Sequence, residues 1–235
     1  METSKITIAV DGFAACGKST LAKALAKELG YVYVDSGAMY RAVTLYFLDH
    51  NIDIENAASV DEALKNINIH FENVDGQNQA FLNGKNVEDA IRSMRVSSFV
   101  SPVATISIVR KAMVALQQEM GAKGGIAMDG RDIGTVVFKE AELKLFLTAS
   151  IEERTRRRLA EWEGKGITDI SSEEVEKNLR TRDHIDSTRA DSPLCQAEDA
   201  IEIDNSLLTP TEQLEFALQL SKEIIEKKAI GLVIN

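Results

Sequence analysis

Gly12-Phe13-Ala14-Ala15-Cys16-Gly17-Lys18-Ser19 fits the pattern G-x-x-x-x-G-K-[S/T], whose chemistry is the binding of nucleotide phosphates. Glycines let the backbone curl until successive N–H groups converge on an anion. A helix that follows adds unpaired donors and the positive end of its dipole. Lys18 supplies a mobile charge for the β- and γ-phosphates, and the Ser19 hydroxyl is placed to ligate Mg2+. With glycine at about 7% of average usage, the four fixed positions match by chance in roughly one chain in a hundred of this length. The phosphate-binding set is read as Gly12, Phe13, Ala14, Ala15, Cys16, Gly17, Lys18, Ser19 and Thr20. It predicts a nucleoside triphosphate and magnesium, and does not name the acceptor.

Such a loop needs a strand before it and a helix after it, and the flanks supply both. Ile6 to Val10 is a short apolar run rich in β-branched residues. Leu21, Leu25 and Leu29 then recur at helical spacing, and Gly30 stops the helix. Tyr31 to Val34 reads as a second strand that runs into Asp35-Ser36-Gly37-Ala38-Met39-Tyr40-Arg41, the start of another helix. Ser59-Val60-Asp61-Glu62 has the capping-box pattern and predicts the start of a short helix. Ile67 to Phe71, Ala80 to Leu82 and the turn signals Asp75-Gly76 and Asn83-Gly84 predict a three-stranded antiparallel insertion at about residues 67–87. His70 within it is a solvent-facing strand residue with no assigned role.

Glu88 to Met120 is helical in pattern, in two pieces around Ser101-Pro102, and Gly124-Gly125 ends it. Ile126 to Met128 is the third core strand and delivers Asp129-Gly130-Arg131-Asp132 at its carboxyl end. Leu143 to Leu147 is the fourth and Ala200 to Asp204 the fifth. Ser150, Ser171 and Thr209, each with Glu three residues on, cap the intervening helices. Five apolar strands alternating with helices predict an α/β fold: a five-stranded parallel sheet flanked by helices, with the antiparallel insertion as an addition.

An acceptor that is itself a phosphate ester calls for several arginines, because guanidinium forks match phosphate oxygens. Arg41, Arg131 and Arg189 each lie beside a predicted strand end or helix start. Any one of them could merely pair with an acidic neighbour, but three unrelated segments placing Arg beside Asp or Ser argue against that for the set. Seven of the twelve arginines fall between Arg154 and Arg189. The rest of the chain is acidic: net charge −10 over 235 residues and pI near 4.9. That balance argues against general binding to nucleic acid or a membrane surface while leaving a local anionic site open. Two distant cysteines, Cys16 and Cys195, offer no metal spacing and suit a reducing compartment. No stretch approaches a membrane span. The expectation is a soluble cytoplasmic protein.

The P-loop, Asp35 to Arg41, Asp129-Gly130-Arg131-Asp132-Ile133-Gly134-Thr135-Val136-Val137-Phe138 and Arg182-Asp183-x-x-Asp186-Ser187-x-Arg189 together resemble bacterial cytidylate kinases. The resemblance covers essentially the whole chain, and the insertion looks like the enlarged monophosphate-binding region of that family. It implies one P-loop kinase domain over residues 1–235, a monophosphate-binding region at 36–110, and a helical lid with its following helix at 150–190. It implies transfer of the ATP γ-phosphoryl to CMP or dCMP, small-molecule partners only, and a monomer. By resemblance, Ser36, Arg110 and Asp132 read cytosine; Tyr40, Arg41, Arg131 and Arg189 surround the CMP phosphate; Ser101, Arg182 and Asp186 lie near the ribose. Arg154 and Arg158 resemble lid arginines that close over the moving phosphoryl, with Arg157 an open alternative. The catalytic set is then Lys18, Arg131, Asp132, Arg154 and Arg158, with Ser19 as the metal ligand.

The residues agree with this reading. A carboxylate such as Asp132 accepts from the cytosine 4-amino group, whereas uracil presents an oxygen there. Two departures stand out. Ala15-Cys16 replaces the usual small Ser/Gly pair, which leaves the redox sensitivity of the Cys16 thiol open. Lys139 stands where the family usually has Pro. The rival readings are another small P-loop kinase and a regulatory GTPase-type switch; the chain has no N-K-x-D or D-x-x-G motif to support the second.

Overall fold

The computed structural model describes residues 5–231 apart from 75, 76, 165 and 168. The expected Asp75-Gly76 turn lies outside the described residues. In chain order the elements are β1 (Thr7–Gly12), α1 (Lys18–Leu29), β2 (Val32–Asp35), α2 (Ser36–Asp49), α3 (Ala57–Lys65), β3 (Ile69–Val74), β4 (Gln77–Leu82) and β5 (Lys85–Asn86). A 3-10 turn (Ala90–Arg92) precedes α4 (Met94–Thr105), α5 (Ser107–Gly121), β6 (Ile126–Asp129) and a π-helical turn (Ile133–Val137). Then come β7 (Leu143–Thr148), α6 (Ile151–Glu163), α7 (Ser172–Thr188), β8 (Ile201–Asp204) and α8 (Pro210–Ala229).

The chain divides into two compact units, one built from the described residues up to Tyr33 and from Lys123 on, the other from Val34–Ala122. The first holds the five-stranded sheet, in the order β2-β6-β1-β7-β8. Thr7 pairs with Ile126, Ile8 with Leu143 and Leu145 with Ile201, all in parallel register. Strands buried on both faces read as continuous apolar runs rather than alternating ones, as Ile8-Ala9-Val10 and Leu143 to Leu147 do. On one face Leu21 and Leu25 of α1 and Ala217 of α8 pack against Ile8, Val10 and Leu145. Val175 and Leu179 of α7 gather with Leu159 and Trp162 of α6 around Ala14. Because the strands are parallel, their carboxyl ends share one edge, which is where open α/β sheets hold their ligands. Gly12, Asp129, Thr148 and Asp204 stand at that edge.

Gly12 is fixed by a close approach. Its φ is 142°, and a Cβ there would lie 2.0 Å from the Leu147 carbonyl oxygen. Ala15 carries φ 58° without being glycine, a left-handed conformation that crowds Cβ.

The second unit holds α2 to α5 and the antiparallel sheet β3-β4-β5, registered by Ile69 opposite Leu82 and Phe81 opposite Asn86. Met39, Val43, Phe47, Ile91, Val96 and Val109 are buried in it. His70 is partly exposed, stacks on Phe81 and lies 2.9 Å from Glu72.

Several boundaries differ from expectation: the strand expected from Ile67 starts at Ile69, and the helix expected from Glu88 starts at Met94, after the 3-10 turn. The helix predicted from Ser59 starts at Ala57, because the Asn56 side chain accepts from the Ala58 and Ser59 N–H groups. The break expected at Ser101-Pro102 falls at Ile106, and Pro102 lies inside α4. Arg110 donates to the Ala104 carbonyl at 3.1 Å, satisfying one of the orphan carbonyls at the end of α4; that makes Ile106 a workable corner. The other caps form as expected: Ser171 with Glu174 and Thr209 with Glu212 make full capping boxes, and Ser150 accepts from the Glu153 N–H. Among the described residues no single helix is long and apolar enough to cross a membrane.

Candidate active site

The P-loop turns out of β1 and closes onto α1. Lys18 is buried, with Nζ 2.6 Å from the Phe13 carbonyl oxygen and 3.8 Å from Cys16 Sγ. Burial, and then the nearby Arg131 guanidinium, hold the ammonium below the usual lysine range. The Ser19 hydroxyl donates to Asp129 Oδ2 at 2.7 Å, and the Tyr33 hydroxyl donates to Asp129 Oδ1 at 2.8 Å. Asp129 ends β6 directly beside β1, so the parallel register places its carboxylate against the loop. No group of three or more His, Cys, Asp or Glu side chains suited to a metal occurs among the described residues. The hard oxygens of Ser19 and Asp129 fit a divalent cation that takes its other ligands from phosphate and water.

The segment after β6 meets the end of α7 in a chain of charges. Arg131 Nε lies 2.7 Å from Asp186 Oδ2, Asp186 Oδ1 lies 3.8 Å from Arg189 Nη1, and Arg189 Nη2 lies 3.4 Å from Asp132 Oδ1. Asp132 and Asp186 are both buried. Burial pushes the Asp186 carboxyl upward, but Arg131, then Arg182, then Arg189 bring it below the usual carboxylate value. Arg182 also contributes to the depression of Lys18. Beneath Asp132, the Asp11 carboxylate accepts from the Ile133 N–H at 2.9 Å and the Gly134 N–H at 2.7 Å. Burial lifts the Asp11 carboxyl to about 6 against these two bonds.

Of the four arginines of α6, Arg156 is exposed and pairs with Glu153, and the other three separate into distinct environments. Arg154 is buried; it donates to Asp183 at 2.5 Å and to the Ala14 carbonyl at 3.3 Å, and its guanidinium lies 5.3 Å from the Phe13 ring centroid. Arg157 is held by Glu153 at 2.7 Å and by both the side chain and the carbonyl of Asn205, at 3.0 and 2.8 Å. Asn205 in turn donates to the Cys16 carbonyl at 2.5 Å. Arg158 lies 3.5 Å from Glu161, and its buried Nε has no hydrogen-bond partner among the described residues.

In the second unit Ser36 is buried at the start of α2, where the Asp35 side chain accepts from the Ala38 N–H at 2.9 Å. Arg110 lies 5.4 Å from the Tyr40 ring centroid. Arg41 donates to the Ile91 carbonyl at 3.1 Å and to the Ser97 hydroxyl at 2.8 Å. Ser101 is half-buried in α4.

The structure thus gathers Lys18 and Ser19 in one place, Arg131, Asp132, Asp186 and Arg189 in another, and Tyr40 with Arg110 in the second unit. Four residues at these centres carried no assignment from sequence: Asp11, Asp129, Asp183 and Asn205. Asp129 and Asp183 stood inside quoted motifs, and position at a strand's carboxyl end was a usable signal for Asp129. Nothing local marked Asn205, whose partner Cys16 is far away in the chain.

A family model described as Cytidylate kinase matches residues 8–223. Among curated proteins, a cytidylate kinase of Parabacteroides distasonis is 56% identical over 221 residues, covering 92% of this chain and 96% of its own. One from Bacteroides fragilis is 54% identical over 219 residues, covering 91% and 95%. One from Flavobacterium johnsoniae is 53% identical over 227 residues, covering 94% and 98%.

Proposed function

The chain belongs to the cytidylate kinase family, and on that premise we propose how its residues move the γ-phosphoryl of ATP to CMP or dCMP. It is a (d)CMP kinase, and ATP is its co-substrate. Gly12 to Thr20 cradle the ATP phosphates, with Lys18 on the β/γ oxygens. Mg2+, held by Ser19 and Asp129 when bound, would neutralise charge shared between the β- and γ-phosphates.

No general base is required. The second pKa of a phosphate monoester is about 6, so the CMP phosphate is already anionic at neutral pH. The difficulty is to bring two polyanions together, and cationic side chains offset that repulsion. We assign Arg41, Arg131 and Arg189 with Tyr40 to the acceptor phosphate, Ser36, Arg110 and Asp132 to cytosine, and Ser101, Arg182 and Asp186 to the sugar. Arg154 and Arg158 take the moving phosphoryl; Arg157, held by Glu153 and Asn205, braces the P-loop instead. Residues 36–110 are the monophosphate-binding region and 150–190 the lid and its following helix, within one kinase domain. Lid closure excludes water, which would otherwise hydrolyse ATP. We read the enzyme as a cytoplasmic monomer acting on small molecules, which the charge of −10 supports against nucleic acid or membrane partners.

The observation that carries the acceptor reading is Asp132, a buried carboxylate beside Arg189 and next to Arg131. It joins an acceptor for the cytosine 4-amino group to cations suited to a phosphate. A coupled assay of ADP release across CMP, dCMP, UMP, AMP and GMP tests it. CMP and dCMP should give the highest kcat/KM; equal turnover of AMP or GMP would overturn the reading.

A further inference from the structure

Asp11 has no part in the reaction as described, yet it is buried and charged in the centre of the first unit. It ends the apolar run of β1, one residue before the P-loop opens. Its two carboxylate oxygens take one N–H each, from Ile133 at 2.9 Å and from Gly134 at 2.7 Å. Those N–H groups begin the π-helical turn, where no backbone acceptor of the turn's own can reach them. The turn then closes through Val136 and Phe138, whose N–H groups donate to the Asp132 and Ile133 carbonyls at 2.9 and 2.7 Å. Asp132, at the head of the turn, is therefore held from both sides: by Arg189 at its side chain, and by Asp11 through the next two peptide groups.

An acid is a costly way to fill a buried position, since water must be removed from a charge. The Asp11 carboxylate also faces Asp132, whose charge opposes its own, and Lys18, whose charge favours it. What this acid provides and an apolar residue could not is a two-pronged acceptor joining the P-loop strand to the segment that carries Arg131 and Asp132. There is little room beside Gly134: a Cβ on it would be 3.1 Å from Lys144 Cδ and in contact with Asp11 Oδ2 at 3.4 Å.

We propose that Asp11 is a positioning residue for acceptor choice, one that fixes Asp132 where it can tell cytosine from uracil. The inference rests on the assignment of Asp132 to the base. A hydrogen-bonding group discriminates only where it is placed to a fraction of an ångström, so loosening the turn costs discrimination before it costs phosphoryl transfer in general.

The test measures kcat/KM for CMP and UMP, KM for ATP and thermal stability in the wild type, Asp11→Asn, Gly134→Ala and Asp132→Asn. The amide of Asp11→Asn turns a donor toward one of the two N–H groups. Gly134→Ala crowds the turn against the Lys144 side chain, with Asp11 Oδ2 in contact, while leaving the acid and its effect on Lys18 in place. We expect both to lower the CMP/UMP ratio about fivefold or more, as misplacement of an oriented group should, with KM for ATP changed less than about twofold. If Asp132→Asn lowers the ratio while Asp11→Asn and Gly134→Ala leave it unchanged, Asp11 is structural and the inference falls alone. If Asp132→Asn leaves the ratio unchanged, cytosine is read elsewhere and the inference falls with its premise. Should Asp11→Asn fail to fold, Gly134→Ala decides.

Discussion

Arg131 and Asp186 form a largely buried pair, 2.7 Å apart, that links the end of β6 to the end of α7. Each is predominantly shielded, with side-chain exposures of 17% and 9%. Asp186 is thus not a charge on a solvated helix face. The pair holds the Arg131 guanidinium in place.

Removing one partner of a buried pair leaves an uncompensated charge. Asp186→Asn should lower stability by about 3 kcal/mol at neutral pH. Because the folded-state pKa of Asp186 lies below its ordinary 3.8, its contribution is present above that value and is lost as pH falls through the folded pKa. Urea denaturation of wild type and variant at neutral pH and below 3.8 checks this; a gap that does not narrow in acid would contradict it.

Asp11 should show the opposite dependence. Its carboxyl is raised from 3.8 to about 6 by burial, so the folded protein binds more protons than the unfolded one between those values. Its contribution is greatest below 3.8 and lost as pH rises through about 6. Relative to Asp11→Asn, the wild type should gain up to about 3 kcal/mol as the medium is acidified across that interval. A pH-independent difference would show that Asp11 does not titrate there.

Ala15 sits at φ 58°, where a Cβ costs roughly 1 kcal/mol that glycine avoids. Ala15→Gly should therefore leave stability unchanged or raise it by up to about 1 kcal/mol, the gain being reduced by the freer unfolded chain. Denaturant midpoints decide. A loss of stability would mean that the Ala15 methyl, which packs beside Ala14, Val175 and Leu179, matters more than the strain.

Local chemistry was legible where its cause is local. Ser171 and Thr209 announced their helices because a cap needs only a side chain and an N–H three residues on. The same rule misplaced the start of α3, since Asn56 reaches the free N–H groups before Ser59 can. Pro102 suggested a break because proline removes a donor, yet one missing bond is tolerated inside α4. The real corner at Ile106 depends on Arg110 capping Ala104, a side chain six residues on. At the candidate site, Lys18 and Ser19 were visible because a loop of eight residues carries their geometry. Asn205 was not, because its role is to hold the Cys16 carbonyl, and only the folded sheet brings the two together. Asp11 carried no signal either, because its bonds to Ile133 and Gly134 cross from the end of β1 to the segment after β6.

Gly12 and Lys18 belong to one signature but answer to different demands. A side chain at Gly12 collides with the Leu147 carbonyl whether or not a nucleotide is present. Lys18 is a buried ammonium whose charged form burial disfavours, and only its bond to the Phe13 carbonyl and its charge near Asp11 offset that cost within the fold. In a lineage released from catalysis the steric demand at Gly12 would persist, whereas the demand for a cation at position 18 would lapse. A silent descendant of this enzyme would keep the loop's outline and lose its cation, so the lysine, not the glycine, reports whether such a chain still works.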